Sequence, residues 1–263
     1  MLTKLMKYEF KATSRVFLPL LAALILLSIV NRLLNAIGQT TPMAIGTAAT
    51  VALIVCIIVL TLVMSIQRFR QNFLSNEGYL MMTLPVSTDS LILSKLFVSV
   101  IWILANMLSL VVAVMIMISY EYTFREALQI LQRLGSLIAE NPGYFTAYTL
   151  EIILLIILCL SSGILLLYLC LSLSMLVNKR RGLFAFAAFF VISSALQIAA
   201  AFANSIAAAL GVTGYLRNLR LELWNPYSIS QLFILISIAA QAFVCLLFYF
   251  STRFMLKNKL NLQ

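Results

Sequence analysis

The fold is decided by stretches such as AIGTAATVALIVCIIVLTLVMSI, residues 44–66, which contains no charged residue. A lipid bilayer has a hydrocarbon core of roughly 30 Å, which an α-helix crosses in about 20 apolar residues. This stretch therefore predicts a transmembrane helix. Five more runs meet the same criterion: 16–36, 93–119, 150–177, 183–209 and 229–251. The predicted fold class is an all-α integral membrane protein with six transmembrane helices, forming a single domain over residues 1–263.

The composition agrees with a membrane protein and excludes several kinds of enzyme. Of the 263 residues, 63% are hydrophobic and 10% are charged, whereas a soluble domain carries roughly 25% charged residues. The chain has no histidine, which excludes Ser-His and Cys-His catalysis and every His-ligated metal site. Its four cysteines lie in apolar runs without the spacing of metal ligands. We therefore expect a protein that is not an enzyme and binds no metal or cofactor itself.

Lysine and arginine are distributed unevenly along the chain. If both termini lie inside, the cytoplasmic segments hold most of the basic residues and the whole net charge of +10, and the outer segments sum to zero. Cytoplasmic loops of membrane proteins carry an excess of Lys and Arg, so both termini and the 67–92 loop are predicted to be cytoplasmic (N-in/C-in). Anionic membrane lipids at this face explain the basic balance, and nucleic acid is not an expected partner.

The first 14 residues are predicted to form an interfacial amphipathic helix. The apolar residues of one face are Leu2, Leu5, Met6 and Phe10, and the basic residues of the other are Lys4, Lys7 and Lys11. Glu9 falls in the middle of the apolar face. Two interpretations are open for this acid: it reaches water or pairs with a nearby basic side chain, or it contacts another cytoplasmic loop or a partner.

The cytoplasmic loop contains FLSNEGYLMMTLPVST, residues 73–88, which has the signals of a short helix over about 75–83. Ser75 or Asn76 can cap this helix, and Pro85 ends it. A connector alone needs only a few residues, so we expect the helix to dock a cytosolic protein; the alternative is a plain turn lying on lipid headgroups. The predicted docking residues are Asn76, Glu77, Gly78, Tyr79, Leu80 and Met81.

The fifth predicted span carries polar and small residues at helical spacing. The polar residues of one face are Ser193, Gln197 and Asn204, and the small residues of the neighbouring face are Ala195, Ala199, Ala203 and Ala207. Small residues four positions apart permit close approach of two helices. Either face is a candidate for a transport pathway, a contact within the chain or an interface with a second protomer.

The outer segments contain weaker signals. A capping box at 123–126 predicts a surface helix, and residues 210–228 are typical of an interfacial or re-entrant excursion. Glu151 is the only acid near a span, and it lies close to the outer boundary. An acid inside a membrane is a functional candidate; the alternative is that Glu151 reaches water.

In layout the whole chain resembles ABC-2-type permeases, the membrane subunits of bacterial ABC exporters. The resemblance rests on MLTKLMKYEFKATSR at 1–15, on QRFRQNFLSNEGYLMMTLPVSTDSLILSK at 67–95 and on the six spans. It implies that 1–14 are the elbow helix of the family, that 75–83 are the coupling helix that docks into the ATPase, and that 210–228 correspond to the outer re-entrant helices. Short permeases that export amphipathic peptide toxins or antimicrobial peptides look most similar.

The resemblance also implies the partners and the location. Two permease protomers, identical or related, form the pathway above two cytosolic ATPase subunits in the bacterial plasma membrane. The chain has no GxxxxGK[ST] loop, so ATP and Mg are expected in the partner chain. Two alternatives stay open: an ion-coupled secondary transporter, and a membrane protein that does not transport, such as a scaffold or an immunity protein.

Overall fold

The described residues of the computed structural model include six long α-helices. The structure describes residues 2–38, 40–74, 88–118, 129, 132–133, 135–136, 142–177, 180–209 and 226–258. In chain order the helices are α1 (Leu2–Ala36), α2 (Thr40–Leu74), α3 (Thr88–Ile118), α4 (Pro142–Ser174), α5 (Arg181–Ala209) and α6 (Pro226–Asn258). All six are long and apolar enough to cross a membrane. The predicted all-helical fold with six apolar helices of membrane-spanning length is therefore confirmed.

Two helix boundaries beside the 67–92 loop follow from the sequence. The second span is predicted to continue as helix through Arg70, and α2 ends at Leu74. A cap at Ser87 or Thr88 is predicted for the third span, and α3 begins at Thr88 with Asp89 in its first turn. An acid in the first turn is favourable because the helix dipole is positive there.

The N-terminal segment differs from its prediction. The pattern predicts a separate interfacial helix over 1–14, whereas these residues continue into the first span as one helix, α1. The hydroxyls of Thr13 and Ser14, at the expected joint, bond back to carbonyls of the preceding turn, as they do inside a continuous helix. Thr13 and Phe17 are both buried, so a single buried stripe crosses the expected boundary and no second helix is needed.

The chain divides into two compact units, Met1–Asn141 and Pro142–Gln263. In the first unit α1 packs along α3, and α2 packs on both. Phe17, Val98 and Trp102 form one buried cluster, and Leu24, Ile57 and Ala113 form another. Because residue numbers rise together along α1 and α3 and fall along α2, α1 and α3 are parallel and α2 is antiparallel to them.

The second unit contains α4, α5 and α6. Here α4 packs along α6 and, over a shorter length, on α5. Hydrogen bonds join Glu151 to Gln231 and Ser162 to Gln241, so α4 and α6 are also parallel. The described part of α5 is exposed along most of its length.

Several predicted features lie outside the described residues. These are the coupling helix at 75–83, the capping box at 123–126 and the excursion at 210–228. The docking residues Asn76, Glu77, Gly78, Tyr79, Leu80 and Met81 therefore stay predictions.

Candidate functional site

Three charged side chains of the first unit meet near the N-terminal ends of α1 and α3. Lys95 Nζ lies 2.6 Å from Glu9 Oε1, and Arg68 Nη1 lies 3.4 Å from Glu9 Oε2. The Glu9 carboxylate thus links all three helices of the first unit, because Glu9 is on α1, Arg68 on α2 and Lys95 on α3. We call these three residues the charged cluster.

Exposure changes steadily across the charged cluster. The side chain of Lys95 is 3% exposed, that of Glu9 14% and that of Arg68 29%. A buried cation requires a partner, because removing one member of a buried pair leaves an uncompensated charge and costs about 3–5 kcal/mol. Glu9 is therefore the residue on which the burial of Lys95 depends.

The position of Glu9 on α1 explains why it turns inward. Its face of the helix carries the half-buried Leu2, Leu5 and Met6, whereas the side chains of the lysines are exposed. The exposed lysines are Lys4, Lys7 and Lys11. The helical pattern of the sequence placed the acid on the buried face, and the structure shows that it pairs there with two basic side chains.

A tryptophan packs directly above the charged cluster. The Trp102 ring lies between those of Phe10 and Phe17, with centroid separations of 4.9 and 4.8 Å. Its indole N–H donates to Thr13 Oγ1 at 2.7 Å, and the Thr13 hydroxyl in turn donates to the carbonyl of Glu9 at 2.9 Å. The indole is therefore satisfied as a buried donor, and it fixes α1 against α3 beside the charges.

The charged cluster and the tryptophan enclose a small cavity. The space open to the centre of a water-sized sphere is about 20 Å³, close to the minimum that a single water molecule needs. The lining residues are Glu9, Thr13, Phe17, Thr61, Met64, Ser65, Arg68, Lys95, Val98, Ser99 and Trp102. The lining thus combines charged groups and hydroxyls with aromatic and aliphatic groups.

The same kind of threonine link recurs deeper in the first unit. Asn106 Nδ2 on α3 donates to Thr61 Oγ1 on α2, and Asn31 Nδ2 on α1 donates to Thr50 Oγ1 on α2, both at 2.7 Å. Each threonine hydroxyl also donates to a carbonyl of its own helix. The Oδ1 atoms of both asparagines are buried without a hydrogen bond. Polar links thus join all three helix pairs of the unit.

Gly46 permits the contact between Asn31 and Thr50. It lies on α2 one turn before Thr50, and a Cβ atom at this position would collide with the side chain of Asn31. Any larger residue would push α1 and α2 apart at this point.

In the second unit, the hydrogen bonds between α4 and α6 are donated by neutral glutamine amides. Gln231 Nε2 donates to Glu151 Oε1 at 3.1 Å, and Gln241 Nε2 donates to the hydroxyl of Ser162. Glu151 Oε2 is buried without a hydrogen bond. Glu151 is therefore bonded to a neutral amide, and no ion pair is found for it in the described part of the chain.

The remaining predicted site residues lie on α5, and the described ones are mostly exposed. Gln197, Ala199 and Ala203 are exposed and Ser193 is half-buried; the side chain of Asn204 lies outside the described residues. No neighbouring helix of the second unit covers the Ala199–Ala203 face. Its role as a pathway or packing surface stays a prediction.

Sequence reasoning missed the partners of Glu9. Arg68 and Lys95 count only as cytoplasmic charges in the sequence, and Thr13 and Trp102 carry no motif. The available signal was the acid on an apolar helix face, because such a group needs a basic partner on a neighbouring helix.

In the described ranges, no group of three or more His, Cys, Asp or Glu side chains could hold a metal ion. Comparison with protein-family models, with curated proteins and with solved structures finds no significant match.

Proposed function

We propose that this chain is the membrane-spanning permease subunit of an ATP-driven exporter, coupled to a separate cytosolic ATPase. The observation that carries the proposal is the charged cluster. Glu9 joins α1 to both helices that flank the predicted coupling helix, since α2 leads into residues 75–87 and α3 leads out of them.

The location of the cluster suits the transmission of motion. Arg68 and Lys95 each lie within about two helical turns of the ends of α2 and α3 beside the loop. A displacement of the loop would move both ends, and the shared carboxylate and the Thr13–Trp102 bond would move α1 with them. Three helices would then respond as one body to a docked ATPase.

The other parts of the proposal follow from the charge distribution and the family resemblance. The chain is oriented N-in/C-in in the bacterial plasma membrane, and it forms the pathway with a second permease protomer, identical or related. Two ATPase subunits supply ATP and Mg. Amphipathic peptides or antimicrobials are the proposed substrates.

Copurification tests the proposal. The tagged chain, extracted from membranes of its own host, should bring down a soluble ATPase, and Tyr79→Ala should weaken this association about thirtyfold, because truncating an anchor typically costs about 2 kcal/mol or more. Tyr122→Ala, the same change in the predicted outer loop, is the matched control. Full ATPase recovery and full transport with a Tyr79→Ala, Glu77→Gln double variant would contradict the proposal.

Orientation is tested separately by labelling in a cysteine-free background. A cysteine at Gln129 should react with an impermeant thiol reagent added outside, and one at Asn76 should react only after the membrane is opened. The reverse pattern would contradict N-in/C-in.

One observation favours a second candidate, an ion-coupled secondary transporter. Glu151 lies in a helix of membrane-spanning length with one carboxylate oxygen buried and without a hydrogen bond, and intramembrane acids often mark ion pathways. Uptake into vesicles driven by a proton or sodium gradient without ATP, and lost in Glu151→Gln, would support this candidate over the ATP-driven exporter.

A further inference from the structure

The charged cluster contains more positive than negative charge. Lys95 approaches Glu9 at 2.6 Å, whereas Arg68 reaches the other carboxylate oxygen at 3.4 Å. The short contact marks Lys95 as the principal partner of Glu9. Among the described residues, Arg68 is held by one long hydrogen bond from Nη1, although a guanidinium has five N–H donors.

Arg68 is also the member of the cluster that an outside ligand can reach. Its side chain is 29% exposed, against 3% for Lys95, so solvent reaches the charged cluster most readily along Arg68, and we call this exposed edge its opening. The hydroxyl residues Ser65 and Ser99 line the cavity of the cluster. With about 20 Å³ of internal space, the cavity cannot enclose a multi-atom anion, which would have to sit at the opening.

The chemistry of this opening favours a phosphate. A guanidinium presents paired N–H donors that match two oxygens of a phosphate group, and it keeps its charge at every physiological pH. Lys95 adds a second positive charge next to that of Arg68, and the single negative charge of Glu9 offsets only one of the two. A phosphate at Arg68 would balance the excess charge.

The phosphate that is abundant at this depth belongs to lipid. The predicted orientation places Arg68 at the cytoplasmic end of α2, where the headgroups of the inner leaflet lie, and each basic side chain near an anionic membrane surface contributes about 1 kcal/mol. We propose that Arg68, at the opening of the charged cluster, binds the phosphate of an anionic phospholipid. The proposal uses the predicted orientation and requires no ATPase.

The test uses the full chain in a neutral detergent and native mass spectrometry. The probe is dioctanoyl phosphatidylglycerol, which carries one phosphate and a net negative charge. Dioctanoyl phosphatidylcholine, which has the phosphate without the net charge, and glycerol 3-phosphate, which has the phosphate without the chains, are the comparison ligands. The wild-type chain should bind phosphatidylglycerol at least tenfold more tightly than either.

The matched variants are Arg68→Gln and Arg70→Gln. Both remove one positive charge from α2 two positions apart, but Arg70 is exposed and outside the cluster. A general surface attraction predicts the same loss for both, about fivefold. Binding at the cluster predicts a loss of at least tenfold for Arg68→Gln and about fivefold or less for Arg70→Gln.

Arg68→Lys distinguishes the loss of a binding site from a folding defect, because it keeps the positive charge and removes the paired N–H donors of the guanidinium. It should fold normally, shown by unchanged Trp102 fluorescence in a Trp224→Phe background, and still bind phosphatidylglycerol several-fold more weakly. Equal losses for Arg68→Gln and Arg70→Gln, or wild-type binding by Arg68→Lys, would overturn the proposal. Equally tight binding of glycerol 3-phosphate would overturn the lipid as the source.

Discussion

The two units share one arrangement, a parallel first and third helix joined through an acid, but the partners of that acid differ in charge. In each, the first and third helices are parallel and an acid of the first helix bonds to the third. Glu9 has two cations, Arg68 and Lys95, whereas Glu151 has the neutral amide of Gln231. We therefore expect the acid to be required for stability in the first unit, where it neutralises buried charge, and to matter less for folding in the second.

The units also differ in how completely their helices bury one another. In the most apolar window of each span, 22% of the residues are buried in α1, α2 and α3 alike, whereas the second unit is uneven, with 28% buried in α4, 6% in α6 and none in α5. The first unit is a packed trio, and the second is a helix pair with α5 attached to one side. More of the second unit's surface is thus available to lipid or to another chain.

The largest expected effect is a loss of stability on replacing Glu9 in the first unit. Glu9→Gln should lower the free energy of unfolding by about 3 kcal/mol, because it leaves Lys95 buried without a counter-charge. Glu151→Gln is the matched change in the second unit and should have little effect, since an amide can still accept from Gln231. Thermal unfolding in detergent measures both. Equal losses would show that the two acids play the same role.

The second prediction compares two helix glycines. Gly46→Ala should destabilise the first unit by about 1–3 kcal/mol, since the added methyl group meets Asn31. Gly163→Ala on α4, where no atom lies within 4 Å of the new Cβ, should instead stabilise by about 0.5–1 kcal/mol. Opposite shifts in melting temperature are expected, and a loss of stability at Gly163 would contradict the open space found beside that residue.

A smaller effect is expected at the tryptophan. Thr13→Val removes the acceptor of the Trp102 N–H, and interhelical hydrogen bonds in membrane proteins contribute about 0.6 kcal/mol on average, with a maximum near 1.7. The loss should appear both in the unfolding free energy and as a shifted Trp102 emission. Ser14→Ala, which removes a hydroxyl bonded only to its own helix, should change neither.

The smallest expected effect on folding is at α5. Ala199→Leu should leave the melting temperature of the single chain unchanged, because Ala199 is exposed. If this face packs on a second protomer, the larger side chain should still lower the dimer fraction in crosslinking. Leucine at Phe202, on a different face, should change neither quantity. A lower melting temperature for Ala199→Leu would show that the face is covered within the chain.

The sequence predicts the parts of the fold that local pattern controls. Six apolar runs give six helices of membrane-spanning length, and α2 continues as helix through Arg70, as the sequence predicts. Helical periodicity also places Glu9 on the apolar face of the N-terminal segment. These features need no knowledge of contacts between distant parts of the chain.

The rest depends on contacts between distant residues. Glu9 meets Arg68 and Lys95 across 59 and 86 positions, and no local pattern encodes this pairing. The sequence predicts a separate N-terminal helix because an apolar face lies opposite a face of lysines. In the structure, Thr13 and Phe17 pack on Trp102, and α1 is continuous. Tertiary contact overrides amphipathic pattern there.

The spacing of the charged cluster along the chain has a consequence for biosynthesis. Glu9 is made first, Arg68 next and Lys95 last, 86 positions after the acid. At a translation rate of about 5–20 residues per second, the carboxylate precedes its principal partner by roughly 4–17 s. Within the cluster, Arg68 is thus the first cation that is made after Glu9, and both other members have been made before Lys95.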